Sequence, residues 1–135
     1  MKHVIHRKSA TIALLSLTIL TACSSDSDSE PVDFSGNYSL SATALTEFDT
    51  NGGTCGDGSG NMTIADGMLT GSVLSTNGNL FDVTGTVTES GDITGGFGQS
   101  GQLVVNFSGA LNATGGTGTW EDLLECSGTW DAVKE

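Results

Sequence analysis

After residue 8 the chain has no histidine and no arginine, and its only basic residue is Lys134. Lys2, His3, His6, Arg7 and Lys8 are crowded into the amino-terminal eight residues. Without imidazole there is no Ser-His or Cys-His nucleophile pair and no histidine metal ligand; without guanidinium there is no bidentate clamp for phosphate or carboxylate. With no basic patch to neutralise phosphates, a nucleic-acid partner is excluded too. Carboxylate chemistry survives this inventory, since a pair of acids can hydrolyse a glycoside, but among 16 acidic residues some pair always looks suggestive. The chain is therefore expected not to be an enzyme and to carry no catalytic residue, no metal and no cofactor.

A long apolar run is also missing. Ala10 to Leu20 is an eleven-residue stretch diluted by Thr11, Ser16 and Thr18, well short of the roughly 20 residues a membrane-spanning helix needs. Preceded by Lys2, Arg7 and Lys8, it reads as the core of a secretory signal peptide. The four residues that follow, Leu20-Thr21-Ala22-Cys23, resemble the lipobox of bacterial lipoproteins. That resemblance implies cleavage before Cys23, a diacylglyceryl group on its sulfur and acylation of the new amino end. At about 0.8 kcal/mol per buried methylene, two or more chains hold a protein firmly to a membrane. Ser24 in the next position is compatible with export to the outer membrane in Gram-negative members. The expected organisation is a signal peptide over 1–22, a lipidated cysteine and acidic tether over 23–33, and a folded domain over 34–135.

Residues 24–32, SSDSDSEPV, have almost nothing to bury and repel one another, so they are expected to be a solvated tether. A hard-cation loop would need its carboxylates held in place around a turn glycine, and nothing here holds them. From residue 23 onward, 16 acids face Lys134 alone, a formal charge of −15. Such a surface argues against lying flat on anionic lipid and draws in a cationic protein partner, although many acidic surfaces serve only solubility.

With Cys23 lipidated, Cys55 and Cys126 remain as an even pair in an exported chain, which reads as a disulfide. Two thiols without histidine are half a metal-ligand set, and no CxxC motif is present.

Residues 34–133 are the size of one small domain. Helical periodicity is absent, whereas period-two alternation recurs. A Ser-Gly or Thr-Gly dipeptide marks each segment: Ser35-Gly36, Ser59-Gly60, Thr70-Gly71, Thr84-Gly85, Thr94-Gly95, Ser108-Gly109, Thr117-Gly118 and Ser127-Gly128. Apolar residues lie two positions from these glycines, as in Val83-x-Gly85-x-Val87 and Phe107-x-Gly109-x-Leu111, so the glycines face inward with them. Strong bending of a small closed sheet, or room for Trp120 and Trp130, would explain glycine at inward positions. Turn signals at Asp66-Gly67, Asn77-Gly78, Ser90-Gly91, Ser100-Gly101 and Gly115-Gly116 separate the segments.

The expected fold is thus all-β: an eight-stranded antiparallel meander closing into a small barrel, with a β-sandwich as the alternative. Pairing strand one with strand eight brings loops 46–58 and 121–125 to one rim, where a Cys55–Cys126 bridge would clip the seam. This agreement favours the barrel.

The same rim, opposite the tether, carries Glu47, Phe48, Asp49, Asp57, Glu121, Asp122, Leu123, Leu124 and Glu125. Of these, Phe48, Asp49, Glu121, Leu123, Leu124 and Glu125 make a candidate partner surface, apolar and ringed by acids. The simpler reading is that Phe48, Leu123 and Leu124 plug the barrel end.

The CSGTW run at Cys126 to Trp130 resembles that of small glycine-rich β-barrel lipoproteins of bacteria, a likeness that brings no activity with it. Gly-x-Trp is also reminiscent of lipocalin and avidin-like barrels, but there it marks the first strand and here the last two, so their ligand residues do not transfer. Three functional classes stand: a non-catalytic envelope or interaction module, an inhibitor of a cationic hydrolase such as lysozyme, and a carrier of a small apolar ligand. Carriage would require an interior cavity of about 300 Å³ or more; the expected interior is packed by Phe97, Phe107, Trp120 and Trp130.

Overall fold

The structure, a computed structural model, describes residues 29–135. The expected signal peptide, the expected lipidation site Cys23 and the start of the expected tether lie outside them.

Eight strands follow one another: β1 (Gly36–Ala44), β2 (Gly58–Ala65), β3 (Met68–Ser75), β4 (Leu80–Val87), β5 (Asp92–Gln99), β6 (Gln102–Leu111), β7 (Gly115–Asp122) and β8 (Ser127–Lys134). Each pairs antiparallel with the next, and β8 returns to β1, closing the barrel. The alternation read in the sequence is the alternation of burial, as in β1, where Tyr38, Leu40 and Ala42 point in and their neighbours point out. Each strand carries the glycine of one Ser-Gly or Thr-Gly dipeptide, and Ser35 alone precedes its strand.

Closure leaves no unpaired edge to template another strand. The outward face is hydroxyl-rich: Thr86, Thr94, Ser108, Thr119, Thr129 and Thr43 are successive cross-strand partners around six strands. A lipid-spanning barrel carries the opposite polarity, apolar outside and polar within.

Both reasons for inward glycine operate, close approach of the neighbouring strand at all of these positions and an aromatic ring in addition at some. At Gly60, Gly71 and Gly85 a Cβ would collide with the backbone of the neighbouring strand, so these glycines permit tight coiling of the sheet. At Gly109 and Gly118, direct cross-strand partners, the indole of Trp130 takes the place of a side chain, 2.5 Å from where either Cβ would be. Trp120 lies over Gly128 in the same way, and Phe107 over Gly95. The rings then stack on one another: Phe97 and Phe107 have centroids 5.1 Å apart, and Phe107 meets Trp130 edge-on at 6.0 Å. Each buried indole N–H finds a backbone carbonyl, Trp120 donating to Thr129 at 3.1 Å and Trp130 to Ser108 at 3.0 Å. Large side chains and absent ones are thus complementary across the sheet.

Two hairpins turn in the minimum of two residues. Asp66-Gly67 (φ +51° and +73°) and Ser100-Gly101 (φ +52° and +79°) both place positive φ at each central residue, the twist a tight antiparallel hairpin prefers. Gly115-Gly116, read as a turn from the sequence, instead opens β7. Asn112 makes the turn, its side-chain carbonyl accepting from the backbone of Thr114 and Gly115 at 2.9 and 3.1 Å. The two glycines sit where a Cβ would strike Ala132 and Ala110 on the flanking strands.

Candidate functional site

The barrel has two chemically different ends. At the near end the chain enters through Asp33 and Phe34 and leaves at Glu135. Lys134 donates its Nζ proton to the Asp33 carbonyl at 2.7 Å, and Tyr38 donates its hydroxyl proton to the Phe34 carbonyl at 2.7 Å. The Lys134 ammonium lies 5.9 Å from the Tyr38 ring centroid. The backbone N–H of Ser35 donates to Asp33 Oδ1 at 2.9 Å and is the main cause holding that carboxyl below its usual range; burial, and then the Asp33 charge, push the Tyr38 hydroxyl up. The one base after residue 8 thus latches the entering segment onto the barrel, and residues 29–32 before it are exposed.

At the far end, loop 45–57 and loop 123–126 meet across the β1–β8 seam. Leu45 N–H donates to the Ser127 carbonyl at 2.9 Å, Thr50 N–H to the Leu124 carbonyl at 2.9 Å, and Ser127 N–H to Thr46 Oγ1 at 2.7 Å. Cys55 and Cys126 are bonded, their Cα atoms 5.7 Å apart, and both are buried. The disulfide clips the seam that topology closes.

Three of the acids on this rim have architectural roles. Asp49 Oδ1 accepts from the N–H groups of Asn51 and Gly53 at 2.7 and 2.9 Å, Asp57 Oδ1 from Ala44 at 2.8 Å, and Asp122 Oδ1 from Leu124 and Cys126 at 2.8 and 2.9 Å. Asparagine presents the same oxygen. Asp122→Ala should therefore cost about 1–3 kcal/mol, as expected for removing a charged acceptor from two backbone donors, whereas Asp122→Asn should stay close to wild type in denaturant titration. Glu47, Glu121 and Glu125 are exposed; Glu125 sits at φ +67° in the tight turn before Cys126.

Phe48, Leu123 and Leu124 do not plug the barrel: they are 57%, 75% and 42% exposed. Trp120, the disulfide and the partly buried Phe81 line the barrel end instead, and the loop residues stay on the outside. The six residues of the candidate surface, Phe48, Asp49, Glu121, Leu123, Leu124 and Glu125, all lie at this far end, on two hydrogen-bonded loops and the end of β7. Leu45, Leu74, Leu80 and Leu103, not singled out in the sequence, join them: of ten exposed large hydrophobics among the described residues, these four with Phe48, Leu123 and Leu124 make seven at the far end. A signal existed for Leu74 and Leu80, outward apolar residues that pair across the β3–β4 hairpin.

No protein-family model matches the chain, and no curated protein matches it either.

Between the rim loops the far end opens into a mouth of about 190 Å³, with Val73, Phe81, Phe97, Val105 and Trp120 on its walls and Asp49, Asp57 and Asp122 among its polar lining. This is smaller than the roughly 300 Å³ of a ligand pocket, so it offers carriage no support. A larger space of about 400 Å³ runs between Leu45, Asn106, Ser108, Thr119 and Glu121, but those residues face outward from the wall.

Proposed function

We propose that the chain is a lipoprotein of the bacterial cell envelope, in the outer membrane, anchored through Cys23 and acting as a non-catalytic interaction module that presents the far end of its barrel. One observation carries the reading: the segment entering the barrel is latched at one end by Lys134 and Tyr38, and seven of the ten exposed large hydrophobics among the described residues lie at the other. A lipid on Cys23 would hold the near end to the membrane and turn the apolar, acid-flanked end toward a partner. Exposed apolar side chains flanked by acids at one end suit a protein contact site.

Two experiments test it. Mass spectrometry of the membrane-extracted chain should find an amino-terminal peptide beginning at Cys23 and carrying diacylglycerol and an amide-linked acyl group; an uncut leader or a free sulfur would remove the anchor. Pull-down from envelope extract should retain a protein that is lost when Phe48, Leu123 and Leu124 are changed together to serine. A second reading, an inhibitor of a cationic hydrolase such as lysozyme, draws on the same rim and its charge. It requires the chain to bind basic lysozyme at low salt, and retention of none would discard it.

A further inference from the structure

We propose that the mouth at the far end receives a single lysine or arginine side chain presented by a protein partner. This rests on the interaction-module reading and gives that surface its anchor point.

The mouth is apolar in depth and acidic at its edge. Val73, Phe81, Phe97, Val105 and Trp120 line it, and about 190 Å³ is room for one long side chain rather than a ligand molecule. Asp49, Asp57 and Asp122 stand around the opening on two segments, loop 45–57 supplying the first two and the end of β7 the third. Each is fixed through Oδ1 to backbone N–H groups, and among the described residues no hydrogen bond engages their Oδ2 atoms. An aliphatic stem ending in a cation matches this layout: methylenes against the walls, charge among the carboxylates. A bare metal ion matches it poorly, because among the described residues no three acidic or thiol groups converge as a ligand set.

Cleavage before Cys23, as proposed, removes Lys2, Arg7 and Lys8, and among the described residues Lys134 is the one cation. Lys134 is committed to the Asp33 carbonyl at the opposite end. Counter-charge must therefore come from outside. A protein is the favoured source because Phe48, Leu123 and Leu124 stand exposed at the same end, where a free amine would leave them uncovered. A central pocket filled by a long cationic side chain, with apolar contacts around it, is the arrangement of an interface hot spot.

The test uses the full-length chain in detergent, followed by NMR at low salt. The probes are a capped five-residue peptide with lysine between two leucines, the same peptide with norleucine for lysine, and n-butylammonium. The lysine peptide should shift the Thr54 amide, the Asn79 side-chain amide and the Trp120 indole N–H. Norleucine should weaken binding at least tenfold, as should the D49N/D57N/D122N chain, which keeps every Oδ1 acceptor and loses only charge. Asn79→Phe, placed to fill the mouth, should block the shifts while the barrel's other resonances stay in place. The proposal is overturned by norleucine binding as well as lysine, by shifts confined to the outer wall, or by no shift at millimolar peptide. Equal affinity for n-butylammonium would make this an amine site and overturn docking by a protein. If a pulled-down partner depends on Phe48, Leu123 and Leu124 but is indifferent to D49N/D57N/D122N and to Asn79→Phe, the interaction module stands and the mouth inference falls.

Discussion

Replacing Cys55 and Cys126 together by alanine is expected to lower the free energy of unfolding by about 4 kcal/mol, read from the shift of a denaturant midpoint. The bridge spans 71 residues of sequence, and in the chain-entropy account a loop of that order limits the unfolded ensemble by about this much. A domain of this size has only about 5–15 kcal/mol in total. The position adds to the expectation, because β1 and β8 are the two ends of the meander and their pairing is the most non-local in the barrel. Hydrogen bonds from Leu45, Thr46 and Thr50 across the same seam remain in the variant, so the folded state should persist at room temperature. Hydrogen exchange should rise first in β1 and β8.

Trp130→Ala is expected to cost a further and separate amount, about 3–5 kcal/mol, with loss of the near-ultraviolet circular dichroism of the core. Trp130 is 1% exposed, lies edge-on to Phe107 and donates to the Ser108 carbonyl. Its indole also occupies the space above Gly109 and Gly118, which have no side chain to expand into a cavity. Relaxation by neighbours is therefore limited, and the cost should sit toward the upper end of that range. Measurement of the Cys55/Cys126 and Trp130 changes in one chain should give nearly additive losses, since the tryptophan packs against β6 and β7 and the disulfide lies in the rim loops.

The strand pattern was legible in the sequence because its period of two is imposed directly by burial: Val83-x-Gly85-x-Val87 can serve only as one wall of a sheet with a wet outer face. The turns at Asp66-Gly67 and Ser100-Gly101 were legible for a similarly local reason, positive φ. Gly115-Gly116 misled because glycine serves two ends, turning and close approach of strands, and only the neighbours Ala110 and Ala132 reveal which. The closing of the seam followed from topology plus two cysteines. The far end was read less well. Asp49, Asp57 and Asp122 counted as surface charge, although an aspartate followed by Thr-Asn-Gly, as Asp49 is, already signals a side chain bound to its own backbone. Phe48, Leu123 and Leu124 looked like a plug because sequence spacing does not show that Trp120 and Phe81 line the barrel end while the loops stand outside it. The mouth itself had no linear signature, since its walls come from strands far apart in the chain.

The most direct measurement is site-specific photo-crosslinking of the full-length chain in cells that express it, with the reactive group placed at Leu123 on the far end or at Ala113, in the β6–β7 turn, on the near end. A discrete protein adduct from position 123, absent from position 113 and lost when Phe48 and Leu124 are changed to serine, is the result this account predicts. Adducts of equal yield from both positions, or a protein adduct from position 113 alone, would contradict it.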